Sequence, residues 1–185
     1  MIDFQKTALV LIDLQEGITQ LDCAPHTTNT VVQNANRLIE IFRQNQGFIS
    51  FVHVAFHDGH DRLQPNAQQI LPGKHDAQFS KFAKDLTILE TDYVVNKRQF
   101  SAFFGTDLDL QLRRRGIDTI VLGGIATHIG VDTTARDAYQ QNYQQYFISD
   151  MMTAPKKEWH EFSTQTIFPL LGQVLTTDAF IASIH

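Results

Sequence analysis

Asp13, Lys97 and the run Gly123-Gly124-Ile125-Ala126-Thr127-His128-Ile129-Gly130 are the positions in this 185-residue chain whose types and spacing could do chemistry. A carboxyl can deliver or accept a proton, and an ammonium beside it biases which. Small residues at a helix start let backbone N–H groups face a ligand, a ready-made anion or oxyanion site. Taken singly, each has a plain explanation: a loop acid, a solvated cation, a packing glycine. Their joint placement changes the weighing. Each follows an apolar run, and in an open parallel sheet ligands collect beyond the carboxyl ends of the strands.

The elements that must position them follow from hydrophobic patterning. Residues 8–14 (ALVLIDL) form a buried strand that runs into the acid, and Gln15-Glu16-Gly17 ends it. Residues 29–45 form an amphipathic helix with Val31, Val32, Ala35, Leu38, Ile39 and Phe42 on one face. Further strands are expected at 48–56, 93–95, 119–122, 146–149 and 174–176. Helices are expected after Thr106, whose hydroxyl can cap with Asp109 three residues on, and at 156–168 around Trp159, Phe162 and Ile167. A further helix carries Val131, Thr134, Ala135 and Ala138 on its apolar face. Between 57 and 83 the periodicity dissolves around Gly59, Pro65, Pro72 and Gly73, the pattern of a lid or binding loop. Strands alternating with helices imply a mostly parallel sheet with helices on both faces.

Composition narrows the function. At 43% hydrophobic the chain can bury one core, so residues 1–185 are expected to form a single domain. Fifteen basic against twenty acidic residues, net charge −5, leave no basic block for a row of phosphates, so nucleic acid is not an expected partner. No run has the length of a membrane span or a signal h-region, so a soluble cytoplasmic protein is expected. The single cysteine, Cys23, excludes an intrachain disulfide and a thiolate zinc site. It lies about ten residues past the first strand and reads as a small buried apolar side chain.

The stretch IDTIVLGGIATHIGVDTTARDAY at 117–139, with LIDLQ around Asp13 and NKRQFSAF around Lys97, resembles the isochorismatase-like hydrolase superfamily over residues 7–180. The resemblance implies a three-layer α/β/α sandwich with a six-stranded, Rossmann-like sheet. It also implies a catalytic aspartate at Asp13, a catalytic lysine at Lys97, and a cis peptide at Ile125–Ala126. In amide-cleaving members a nucleophilic cysteine opens the helix after the fourth strand. This chain has Gly130 there, preceded by His128-Ile129, as in isochorismatases, which hydrolyse a vinyl ether and need no thiol. A tyrosine would follow Ile125 in isochorismatases proper; Ala126 stands here, so another small substrate is expected.

Two mechanisms suit an acid and a lysine without sulfur. A protonated Asp13 delivers its proton to the methylene carbon of an enolpyruvyl ether, or an ionised Asp13 activates water on an amide or ester carbonyl. An ammonium at about 4 Å in an effective dielectric near 20 favours the ionised form by roughly 4 kcal/mol. Burial, or an anionic substrate, pushes the other way. Acid catalysis therefore goes with a small anionic substrate.

The side chains expected around such a ligand are Gln15, Phe56, Arg98, Ser101, Phe103, Phe104, Ile125, Ala126, Thr127, His128 and Ile129, with Arg62 a further candidate cation. Phe103 and Phe104 are adjacent in a loop and cannot both enter the core, so one should face ligand or a neighbouring subunit, in keeping with a homo-oligomer of two or more copies. His57, Asp58, His60 and Asp61 resemble a metal site of nicotinamidases, but Phe56 stands at the first ligand position, and solvated loop residues are the preferred reading. No cofactor is expected. The reading from a different class is a binding or scaffolding protein that kept the fold and lost the thiol.

Overall fold

A computed structural model describes residues 2–68 and 76–184. The elements run β1 (Thr7–Ile12), α1 (Glu16–Thr19), α2 (Thr28–Gln44), β2 (Phe48–Val54), β3 (Tyr93–Lys97), α3 (Leu108–Arg114), β4 (Thr119–Ile125), a π-helical turn Thr127–Val131, and α4 (Asp132–Gln140). There follow β5 (Gln144–Thr153), α5 (Lys157–Phe162), a second π turn Ser163–Ile167, α6 (Phe168–Leu171), β6 (Gln173–Leu175) and α7 (Thr177–Ser183).

The six strands form one sheet in the order β3-β2-β1-β4-β5-β6, and every pairing is parallel. The side-chain alternation of β1 divides the core into two layers. Ala8, Val10 and Ile12 pack with Leu108, Leu112, Val131, Ala135, Ala138 and Phe168 on one face. Leu9 and Leu11 pack with the apolar stripe of α2 and with Phe180 on the other. A sheet covered on both faces needs strands without polar alternation, which is why the runs at β1 and β4 read as continuous apolar segments.

Several boundaries differ from the sequence reading. β4 runs on to Ile125 and β5 reaches Thr153, because Gly123 and Gly124 belong to the sheet and not to the ligand-facing turn. At Gly124 a Cβ would lie 2.0 Å from the Ile12 carbonyl oxygen, so only glycine lets β4 approach the end of β1 that closely. β3 extends to Lys97, making that lysine the last residue of its strand. The expected helix at 156–168 is interrupted by the Ser163–Ile167 π turn, and its buried face is His160, Ser163, Thr164 and Phe168. Trp159 and Phe162 are exposed instead. The helix expected after Thr106 has Asp107 and not Thr106 at its N-cap; the Thr106 hydroxyl accepts the Leu108 N–H at 3.2 Å in the turn before it, and Asp109 pairs with Arg113 and Tyr143.

The segment expected to be a lid is anchored where it is described. Glu16 and Gly17 donate to the carbonyls of Lys81 and Phe79, and Ala83 donates to Leu14. The expected breaks at Pro72 and Gly73 lie outside the described residues. Among the described residues no helix is long and apolar enough to cross a membrane.

Candidate active site

The strand order reverses between β1 and β4, and the crevice at such a switch point is where an open α/β sheet binds ligands. Asp13 follows β1 at φ 55°, a left-handed conformation uncommon for a residue with a side chain, while its N–H continues the sheet by donating to the Val52 carbonyl at 2.8 Å. Lys97 reaches from the end of β3 and donates to Asp13 Oδ2 at 2.8 Å. Its other two ammonium protons go to the carbonyls of Gln99 at 3.2 Å and Phe100 at 2.9 Å. The three donors of the ammonium are therefore all engaged. Asp13 is 4% exposed and Lys97 1%, so the pair is buried.

Gly130 closes the third side. A Cβ there would sit 3.1 Å from Asp13 Oδ2 and 3.5 Å from Lys97 Nζ, so the α-carbon of Gly130 faces the pair directly. The structure thus brings together the carboxyl, the ammonium and the turn, although they are separated by up to 117 positions in sequence. The Asp13 Oδ1 atom is buried and has no hydrogen-bond partner among the described residues. That orphaned oxygen is the one place in the cluster able to hold a proton or meet a ligand without displacing an existing bond.

Burial sets the direction in which this acid is shifted. Desolvation pushes the Asp13 carboxyl above its ordinary value, exceeding the downward pull of the Lys97 charge, of the Lys97 hydrogen bond and of His53. The Coulomb estimate from sequence favoured ionisation. The opposing push of burial is the larger of the two for a carboxyl this deeply enclosed.

The turn after β4 holds the cis peptide Ile125–Ala126. The Ala126 carbonyl takes the N–H groups of both Ile129 at 3.2 Å and Val131 at 3.3 Å. Those of Thr127 and His128 have no backbone acceptor among the described residues. The leading amides of a helical turn are the donors an oxyanion site requires.

The remaining expected positions separate into two groups. Gln15, Phe103 and Ile125 are drawn into the framework. The Gln15 amide donates to the carbonyls of Val54 at 3.2 Å and Phe79 at 2.9 Å and accepts from the Val54 N–H at 2.8 Å, leaving no free N–H for a ligand. Phe103 packs in the core against Tyr143, and the Ile125 side chain is fully buried. Of the adjacent phenylalanines it is Phe104 that faces outward, at 73% exposure. Ser101 is buried and accepts from the Phe103 N–H at 3.1 Å.

Phe56 is half-buried beneath the Arg62 guanidinium, and Arg98 is paired with Asp61. Ala126 and Ile129 are half-buried at the turn. At about 100° per helical residue, positions 128 and 130 point to opposite sides. The His128 ring accordingly leans on Trp159, centroids 4.7 Å apart, away from the acid. In the 57–61 loop, Asp58 and Asp61 accept the backbone N–H groups of His60 and His57, as turn residues do. Among the described residues no group of three or more His, Cys, Asp or Glu side chains could hold a metal ion. Cys23 packs against the α2-side core, and burial raises its thiol above the ordinary value.

Two buried residues were missed from sequence. His160 Nδ1 lies 2.9 Å from Thr127 Oγ1 and so holds the first residue of the π turn. Burial first, and the neighbouring His26 second, bring its imidazole down to about 4. Thr134 donates to the Gly130 carbonyl at 2.6 Å and accepts from the Ala102 N–H at 3.0 Å. Periodicity marked Thr134 as an inward position but could not show what its hydroxyl reaches. Nothing in the sequence marked His160.

A stability prediction follows from His160. A histidine depressed in the fold contributes stability that is present above its ordinary value of about 6.5 and lost as the pH falls towards 4. Between pH 7 and pH 4.5 the wild type is expected to lose about 2 kcal/mol more than His160→Gln, since the shift is worth about 1.4 kcal/mol per pH unit. Urea unfolding at the two pH values measures the difference; parallel losses in both proteins would contradict it.

Comparison with known proteins supplies relatives for this geometry. A model of the Isochorismatase domain matches residues 7–179. The chain is 52% identical over 186 residues to the isochorismatase family protein YwoC of Bacillus subtilis, covering 99% of this chain and 96% of that one. It is 29% identical over 204 residues to the ureidoacrylate amidohydrolase RutB of Acinetobacter baylyi, covering 96% and 83%. The solved structure of an isochorismatase family protein from Burkholderia thailandensis superposes with a TM-score of 0.92 at 41% identity, covering 97% and 95%.

Proposed function

We propose that this chain, which belongs to the isochorismatase family of hydrolases, cleaves a small anionic vinyl ether by proton delivery from Asp13. The observation that carries the reading is the buried Asp13–Lys97 pair facing Gly130, with Oδ1 unpartnered among the described residues. With glycine at the position where the resemblance puts the nucleophile, this reading starts the reaction at the carboxyl.

In this reading Lys97 keeps Oδ2 occupied and leaves the proton on Oδ1. That proton passes to the terminal methylene carbon of an enolpyruvyl group, and the ether oxygen lone pair supports the resulting oxocarbenium ion. Water adds to the cation and returns a proton to Asp13. The hemiketal then collapses to pyruvate and the free alcohol. The step needs the protonated carboxyl; burial pushes Asp13 towards that form, and an anionic substrate pushes it further. The leading amides of the π turn would hold the substrate carboxylate.

The amide-cleaving relative of Acinetobacter baylyi favours a second reading, in which ionised Asp13 activates water on a carbonyl. A substrate panel separates the two. Incubated in D2O with an anionic enolpyruvyl ether, the protein is expected to release pyruvate carrying one deuterium in its methyl group. Ammonia or carbamate release from primary amides and ureido acids, without action on the ether, would overturn the vinyl ether reading.

A further inference from the structure

Thr134 lies on α4, one turn beyond Gly130, and is fully buried. Its hydroxyl has two engagements. It donates to the Gly130 carbonyl at 2.6 Å, and it accepts the Ala102 N–H at 3.0 Å. The first is the backward bond to residue i−4 that threonine makes inside helices. The second crosses to a different part of the chain.

The peptide it grips there closes the loop that encircles Lys97. Two carbonyls of that loop, Gln99 and Phe100, take two of the three ammonium protons. Ala102, two residues further on, is held at both ends: its N–H by Thr134 and its carbonyl by Thr106 Oγ1 at 2.6 Å. One hydroxyl therefore joins the wall that presses Gly130 onto Asp13 to the collar that seats the ammonium on the same carboxyl.

We propose that Thr134 is a positioning residue whose hydroxyl, by bridging the Gly130 carbonyl and the Ala102 N–H, keeps the Lys97 ammonium seated on Asp13. It touches neither substrate nor the reacting atoms. Its effect runs through the loop carbonyls. Without the bridge, the Ala102 N–H loses its buried acceptor and the loop must move to find another, because a buried amide left unpaired is costly. That motion draws the Gln99 and Phe100 carbonyls, and the ammonium with them, off Asp13 Oδ2. The carboxyl would then keep its burial while losing part of the opposing charge, with His53 the other group facing it that favours ionisation.

The inference rests on the proposed roles of Asp13 and Lys97, yet its first test needs no substrate. The Asp13 side-chain carbon, labelled with 13C, is titrated by NMR in wild type, Thr134→Val, Thr134→Ala and Thr134→Ser. Valine matches the shape without the hydroxyl, and serine restores the hydroxyl. The Asp13 midpoint is expected to rise by about one pH unit in Thr134→Val, the lower end of what an adjacent opposite charge is worth. It should rise by less in Thr134→Ala, where water can enter, and return to the wild-type value in Thr134→Ser.

Should the valine protein not fold, the alanine and serine proteins carry the comparison. A wild-type midpoint in a folded valine or alanine variant would overturn the inference, and so would a serine variant that fails to restore it. With an active substrate in hand, the pH at which kcat declines on the alkaline side should move up by the same one unit in Thr134→Val and return in Thr134→Ser, with KM little changed. A moved midpoint with no turnover in any of these proteins would count against the proposed reaction and leave the bridge standing.

Discussion

Replacing Asp13 with asparagine is expected to lower turnover of an anionic enolpyruvyl ether by about 10²–10⁴-fold, the range attributed to a positioned general acid. Asparagine keeps the shape of the side chain, and its carbonyl oxygen can still accept from Lys97. What it lacks is a transferable proton. The structural cost is smaller, because the Lys97 ammonium retains the Gln99 and Phe100 carbonyls when its carboxylate is gone. A loss of about 1–2 kcal/mol in unfolding free energy is the scale for one weakened buried hydrogen bond. Activity should therefore collapse in a protein that still folds, and measuring both quantities on one preparation separates the effects. Equal turnover by wild type and Asp13→Asn would remove the acid from the reaction.

The second large effect concerns its partner. Lys97→Met preserves length and burial but leaves Asp13 Oδ2 and two carbonyls without their donor. Turnover is expected to fall on the order of 10²–10³-fold, the scale for losing one preorganised donor. Stability should respond to pH with a definite sign. The folded Asp13 carboxyl already titrates above its ordinary 3.8. Its contribution is thus complete below about 3.8 and declines as the pH rises through the folded value. Removing the ammonium raises that value further, so the decline becomes larger. Lys97→Met should lose more stability between pH 5 and pH 8 than wild type does. In acid the two proteins should approach each other, because a protonated Asp13 leaves no unpaired charge behind. A variant penalised equally at both pH values would mean that the carboxyl is not the group being titrated.

Sequence patterning reached the parts of this site that depend on which strand end a residue follows. Asp13, Lys97 and Gly130 each terminate or follow an apolar run, and parallel pairing in the order β3-β2-β1-β4-β5-β6 brings those ends to one crevice. The direction of individual side chains was less legible. Gln15 and Phe103 sit in the correct stretches yet turn inward, because a buried amide must satisfy Val54 and Phe79, and because Tyr143 offers a ring to stack on. The face of the 156–168 segment was misplaced because its inward positions are polar: His160 and Ser163 are buried on hydrogen bonds to Thr127 and Asp132, while Trp159 and Phe162 stand exposed, and hydrophobic periodicity gives no weight to such partners.

His160, and what the Thr134 hydroxyl reaches, escaped notice for a related reason. Their importance lies in a single polar atom meeting a partner from another element, His160 with Thr127 and Thr134 with Ala102. Nothing along the chain records such a meeting. The charge state of Asp13 is the third such case. Its formal neighbour was identifiable, but the degree of enclosure that outweighs that neighbour is a property of the packed site.

The central claim is that an uncharged carboxyl, aided by an ammonium and unaided by sulfur, hands a proton to carbon. A crystal structure of Asp13→Asn holding an unreacted anionic enolpyruvyl ether tests this most directly. The account predicts the terminal methylene carbon within about 3–3.5 Å of the side-chain atom of residue 13 that Lys97 leaves free, with the ligand carboxylate against the Thr127 and His128 amides. A ligand whose methylene lies away from residue 13, or one that seats its carbonyl carbon beside Cys23, would contradict it.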